Sequence, residues 1–264
     1  MNRFTFLVTL FIILPGSFAG RAAPADQRAF TIYDALFYRG KPATAGDGLV
    51  PANILYENKI WPNGEVSATL PSREAFEALV RSHIAAPGPL VIDVEKLPLK
   101  GSPQIARRNM QVLALLADWA HKSAPGEMIG FYGTNTLSRV PPSNLAIARE
   151  LARHVDAFFP PAYTFDDNRA AWAQRARASV AEARALGPGK PVYLLLWPQY
   201  HDGTPKAFQY VQLAYWKFQL ETAHGCADGL VLWSPSRFEW NDGSGWWAAT
   251  VQFARNLRPT PPYH

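Results

Sequence analysis

The chain has 264 residues, 48% hydrophobic and 18% charged, a balance that suits one globular domain with a sizeable core and excludes a disordered or fibrous chain. Its formal net charge of +5 comes without runs of Lys or Arg, so nucleic acid is not an expected partner. Cys226 is the only cysteine, which rules out an intramolecular disulfide and fits a small buried core residue.

Residues 1–19 carry Arg3, an apolar stretch over 4–14 and a small-x-small pattern at Ser17-Phe18-Ala19. They predict a secretory signal peptide, since the apolar stretch is too short to span a bilayer. Its removal takes Arg3 with it and lowers the net charge from +5 to +4. The mature protein is therefore expected to be secreted or periplasmic, with no membrane span. Residues 20–29 read as a tether, 30–258 as the folded domain and the proline-rich 259–264 as a tail.

Within the domain the first strand is predicted over 30–38, followed by a long loop with three glycines and two prolines over 39–51 and a short strand over 53–57. Trp61-Pro62-Asn63-Gly64 is turn chemistry, and Ser72 caps a helix on which Ala75, Phe76, Leu79, Val80 and His83 recur at helical spacing. Strands over 89–95, 128–133, 157–163, 191–197 and 229–234 then alternate with helices over 103–121, 143–154, 168–186, 205–224 and 246–257. Such alternation implies an α/β fold with parallel pairing and right-handed crossovers. Seven strands and no glycine-rich turn after the first favour a single seven-stranded, TIM-like (β/α) barrel over an open dinucleotide-binding sheet.

The stretch Pro-Leu-Val-Ile-Asp-Val-Glu over 89–95 is an apolar run ending in two acids. Side chains alternate along a strand, so Val91, Asp93 and Glu95 share one face and Leu90, Ile92 and Val94 the other. Two acids together at the carboxyl end of a barrel strand cannot both ionise freely, and one becomes a proton donor. Glycoside hydrolysis requires such a group. Acids also end strands merely because the next loop is solvated. Tyr132, Tyr163, Trp197, Tyr200 and Trp233 stand near the ends of the other strands, where rings that face sugars would serve as substrate-binding residues. A second carboxylate could come from Asp34, Glu57, Asp166, Asp167, Asp202, Glu239 or Asp242. The six histidines show no metal-ligand spacing, no Gly-x-Ser-x-Gly turn is present, and no metal or cofactor is expected.

Asn53-Ile54-Leu55-Tyr56-Glu57-Asn58, Val91-Ile92-Asp93-Val94-Glu95, Gly130-Phe131-Tyr132-Gly133, Phe159-Pro160-Pro161-Ala162-Tyr163 and Gly229-Leu230-Val231-Leu232-Trp233-Ser234 resemble, in order and spacing, motifs of animal and venom hyaluronidases. The resemblance implies a seven-stranded barrel that cleaves N-acetylhexosaminidic bonds in an amino-sugar polysaccharide with retention. It implies Glu95 as general acid/base and Asp93 as the group that orients and charge-stabilises the substrate's own acetamido nucleophile. Tyr163 would hold the acetamido oxygen and Trp233 would pack on the sugar. Val94 stands where the family has tryptophan. Bacterial and phage lysozymes with an Asp-x-Glu strand also resemble the 89–95 stretch, and a catalytically silent barrel that binds glycan or a cell-envelope partner is the alternative from another class. A monomer is expected.

Overall fold

The computed structural model describes residues 29–44, 46–64, 66, 70–85, 87–133 and 140–257. The expected signal peptide over 1–19, the tether up to residue 28 and the tail over 259–264 lie outside the described residues.

The fold is α/β with parallel strands. In chain order these are β1 (Thr31–Leu36), β2 (Val50–Pro51), β3 (Asn53–Tyr56), β4 (Leu90–Asp93), β5 (Ile129–Phe131), β6 (Tyr193–Leu196) and β7 (Gly229–Ser234). They make two sheets, ordered β2-β1-β7-β6 and β3-β4-β5, rather than one continuous closed ladder. Around them lie α1 (Glu57–Ile60), α2 (Arg73–His83), α3 (Pro103–Ser123), α4 (Leu145–Leu151), α5 (Arg169–Leu186), α6 (Leu213–His224) and α7 (Trp246–Asn256). Side-chain oxygens of Ser72, Ser102 and Asn168 accept from backbone N–H groups in the first turns of α2, α3 and α5. Among the described residues no helix is long and apolar enough to cross a membrane.

The two sheets meet where the chain runs from β2 into β3, separated only by Ala52, whose N–H donates to Asp34 O at 3.0 Å. On the far side, the segment expected as a strand over 157–163 is held by isolated parallel bridges. Tyr132 pairs with Phe159, Phe158 with Val192 and Pro161 with Leu195. Pro160 and Pro161 have no N–H to give, which breaks the ladder there. The approach to β5 is still close, because a Cβ on Gly130 would come within 2.5 Å of Ala157 O.

Alternation along the strands separates two cores. Tyr33, Ile54, Val91, Phe159, Leu195 and Val231 pool into one small buried cluster drawn from both sheets. Their sequence neighbours Ile32, Leu55, Leu90, Ile92, Phe158, Leu194 and Leu230 belong to a larger cluster shared with the helices. Parallel strands buried on both faces must be apolar throughout, and all four residues of β6 are buried.

Two expected helices are shorter than their patterns. The segment 205–212 is not helical: Phe208 has a left-handed φ of 66°, and its N–H donates back to Tyr200 O at 2.9 Å, so the chain folds over 199–200 before α6 begins at Leu213. The 143–154 helix opens as a 3-10 turn at Pro142–Asn144 and closes at Leu151.

Candidate active site

β4 carries Asp93 at its carboxyl end, and Glu95 follows two residues later on the same face. With Val91 they line a cavity of about 300 Å³. Val94, between the acids, is fully buried on the opposite side. A third carboxylate holds this turn in place. Glu57, the first residue of α1, accepts from the backbone N–H groups of Glu95 and Lys96 at 3.1 and 3.2 Å and pairs with Lys96 Nζ at 3.2 Å.

The setting of the two acids disfavours negative charge. Burial, then repulsion from Glu95 and Glu57, pushes Asp93 up to about 7. Burial and the Glu57 charge raise Glu95 too, with the nearby His201 acting in the opposite sense. Asp93 Oδ1 is buried with no hydrogen-bond partner among the described residues. Such an oxygen is costly to leave unpaired, and a bound N–H donor would satisfy it. Glu57→Gln keeps an oxygen for the two backbone N–H groups and removes the charge. It is expected to lower the titration midpoints of both Asp93 and Glu95, read by NMR of the carboxyl carbons; unchanged midpoints would show that solvent screens the repulsion.

Four of the five expected aromatics join the acids. Tyr132, Tyr163, Trp197 and Trp233 all line the same cavity. Trp197 and Trp233 meet edge to face at 5.5 Å, Tyr163 lies 5.8 Å from Trp233, and the Tyr132 and Tyr163 rings are 6.4 Å apart. Each indole is fixed from behind. Trp233 Nε1 donates to Tyr56 OH at 2.8 Å, and Trp197 Nε1 donates to Gln199 Oε1 at 3.0 Å and Tyr38 OH at 3.2 Å. Tyr200 is placed elsewhere: it is 1% exposed, lines neither this cavity nor its neighbour, and its hydroxyl is bound to Asp167. Its side chain has the opposite parity to Trp197 and points into the outer core.

Of the acids that could have supplied a second carboxylate, Glu57 stands behind the pair and Asp202 lies on the cavity rim. Asp34 is engaged with Lys41 and Thr44, Asp167 with Lys206 and Glu239 with Arg39. His201 and Arg237 line the cavity although the sequence reading did not single them out. His201 stacks on Tyr163 at 5.3 Å and pairs with Asp202 at 2.6 Å, while the Arg237 guanidinium lies over Phe208 and Phe238 at 5.1 and 5.0 Å.

The acids and aromatics gather at the carboxyl ends of parallel strands in an α/β fold, the end at which (β/α)-barrel proteins place their active sites. No protein-family model matches the chain, and no curated protein matches it in sequence. Among solved structures it is similar to bee venom hyaluronidase, at 15% identity and a TM-score of 0.61 over 86% of this chain and 96% of that one. The complex of bee venom hyaluronidase with a hyaluronic acid tetramer gives 16% identity and a TM-score of 0.58 over the same shares, 86% and 96%. GH5_18 from Streptomyces cattleya in complex with Manb1-4GlcNAc gives 15% identity and a TM-score of 0.51 over 88% of this chain and 63% of that one. At these identities the likeness is one of fold.

Proposed function

We propose that the protein is an exported glycoside hydrolase that cleaves an N-acetylhexosamine-containing polysaccharide with retention, assisted by the substrate's own acetamido group. One observation carries this reading: two carboxyls that resist ionisation, one with an unpaired buried oxygen, share a cavity walled by Tyr132, Tyr163, Trp197 and Trp233. The two sheets, the continuous run from β2 to β3 and the bridged 158–161 segment are read together as a seven-membered (β/α) barrel.

In this reading Glu95 begins protonated, which its raised pKa favours. The acetamido carbonyl oxygen bonds to the anomeric carbon as the glycosidic C–O bond breaks, and Glu95 gives its proton to the leaving oxygen. Asp93 Oδ1 accepts the acetamido N–H and stabilises the positive charge of the resulting ring. Glu95 then takes a proton from water as the water oxygen bonds to the anomeric carbon and the bond from the acetamido oxygen to that carbon breaks, which restores the acetamido group, and two inversions return the original configuration. Tyr163 holds the acetamido oxygen, while Trp233 packs on the sugar.

The test is reducing-end release by the purified mature protein over hyaluronan, chondroitin, chitin oligomers and peptidoglycan. Release from at least one is expected. Silence on all four, with saturable binding to one, would replace the enzyme with a glycan-binding barrel.

A further inference from the structure

At the amino ends of the strands, away from the acids, two histidine–aspartate pairs cross between α3 and the turn after α4. His121 of α3 bonds through Nε2 to Asp156 Oδ2 at 2.8 Å, and His154 bonds through Nδ1 to Asp118 Oδ1 at 2.8 Å. Asp118 and His121 are three apart and share a face of α3. Asp156 also pins the first residue of β5. Its Oδ2 accepts from Ile129 N–H at 2.9 Å, and its own N–H donates to Ile129 O at 2.7 Å. The cluster thus joins α3 to β5 and to the start of the 157–163 segment. Pairing between those two is otherwise thin, because the consecutive prolines reduce it to the Tyr132–Phe159 bridge and a 3.2 Å bond from Gly133 N–H to Phe159 O.

His121 is held between two acceptors. Its Nδ1 lies 2.8 Å from the carbonyl oxygen of Ala117 and its Nε2 lies 2.8 Å from the Asp156 carboxylate. Neither oxygen can donate and a neutral imidazole has one N–H, so both bonds form together only when the ring carries two protons. A neutral ring sets a lone pair against one of the acceptors and must withdraw from it. The surroundings favour the cation. His121 stands in the last turn of α3, where the helix dipole attracts positive charge, and Asp118 adds a second negative group. The neighbouring cations are Lys122, next in the chain, and Lys190, which lies by Asp156 and donates to Val155 O. The hydrogen bond to Asp156 outweighs burial and raises His121 above its ordinary 6.5. Burial opposes the Asp156 charge, but the bonds from His121 and Ile129 prevail and hold that carboxyl below its usual range.

We infer that this contact is a pH-operated latch: while His121 carries two protons it ties α3 to the amino ends of β5 and of the 157–163 segment, and the loss of one proton releases it. Those two segments lead to Tyr132 and Tyr163, so the latch braces one wall of the candidate site from its far end. The direction follows from linkage. A histidine whose value is raised by folding stabilises fully below its unfolded value, and the contribution is lost as pH rises through the folded one. The loss therefore sets in above 6.5. The latch stands apart from the glycan-cleaving reading, and its test uses no substrate.

The test follows the full chain by NMR and by melting. In the wild type the His121 ring signals are expected to titrate with a midpoint above 6.5, and Asp156→Asn should bring that midpoint back toward 6.5. The Ile129 amide, corrected for its intrinsic rate, should exchange with solvent several-fold faster above the midpoint than below it, and His121→Gln should abolish that change. His121→Gln should melt about 2–4 °C below the wild type near pH 5.5 and level with it near pH 8.5, the size expected of one partly exposed charge-assisted bond. Asp93 is present in both proteins, so its own pH dependence cancels from the difference. A midpoint at or below 6.5, a midpoint unmoved by Asp156→Asn, an Ile129 amide equally protected on both sides of it, or the same melting difference at both pH values would each overturn the latch. Should His121→Gln not fold, the wild-type midpoint, its response to Asp156→Asn and the wild-type Ile129 exchange decide the matter.

Discussion

Glu95→Gln is expected to lose about a hundred- to ten-thousand-fold of the rate of reducing-end release, the range that positioned general acid catalysis supplies. The amide is nearly isosteric with the carboxyl and has no proton to give. The backbone contacts from Glu57 to the N–H groups of Glu95 and Lys96 do not involve the substituted side chain, so the turn keeps its place. Binding should therefore persist while turnover disappears, and a comparison of kcat with the dissociation constant of an oligosaccharide separates the two. The wild-type profile should fall off at high pH, as Glu95 loses the proton that its burial helps it retain. A variant as active as the wild type would remove Glu95 from the reaction and, with it, the proposed mechanism.

Much of the site was legible because strand parity continues beyond the strands. Val91, Asp93 and Glu95 line the cavity, as do Leu195, Trp197 and His201 on and after β6, and Trp233, Pro235 and Arg237 on and after β7. Every one of these is an odd-numbered position on its segment. Counting in twos from the buried cluster would have reached His201 and Arg237 and would have turned Tyr200 away from the cavity, so proximity to a strand end was the weaker guide.

The remainder was not legible for two physical reasons. Glu57 is one of seven acids that the sequence offers as a second carboxylate, but it reaches the pair from the start of a helix, and no spacing relates it to 89–95. The segment 205–212 carries a plausible helical pattern, but its backbone is committed to 199–200 through tertiary hydrogen bonds that a local pattern does not record. The strand expected over 157–163 shows the same limit from the other side. Phe158, Phe159 and Pro161 sit where a strand would put them, yet consecutive prolines reduce the ladder to bridges.

Asp93→Asn is expected to move stability and activity in opposite directions. The Asp93 carboxyl titrates at about 7 against an ordinary value of 3.8, because burial and the charges of Glu95 and Glu57 oppose its ionisation. Between those values the folded protein holds a proton that the unfolded chain has released. Stability therefore falls as pH rises through that window, and the full penalty stands above pH 7. A shift of this size corresponds to about 4 kcal/mol. An amide carries no charge at any pH, so the variant should melt on the order of ten degrees above the wild type at pH 8, at about 2–4 °C per kcal/mol for a chain of this length, and the gain should vanish near pH 4. Activity should fall on the order of a hundred- to a thousand-fold, as when one preorganised electrostatic group is removed from a reacting centre. Equal melting temperatures at pH 8 would mean that the Asp93 charge is not opposed by its surroundings, and full activity would mean that the reaction does not use it. A carboxylate that costs the fold stability at neutral pH is explained by what it does for a bound molecule, and losing activity while gaining stability is the signature of that exchange.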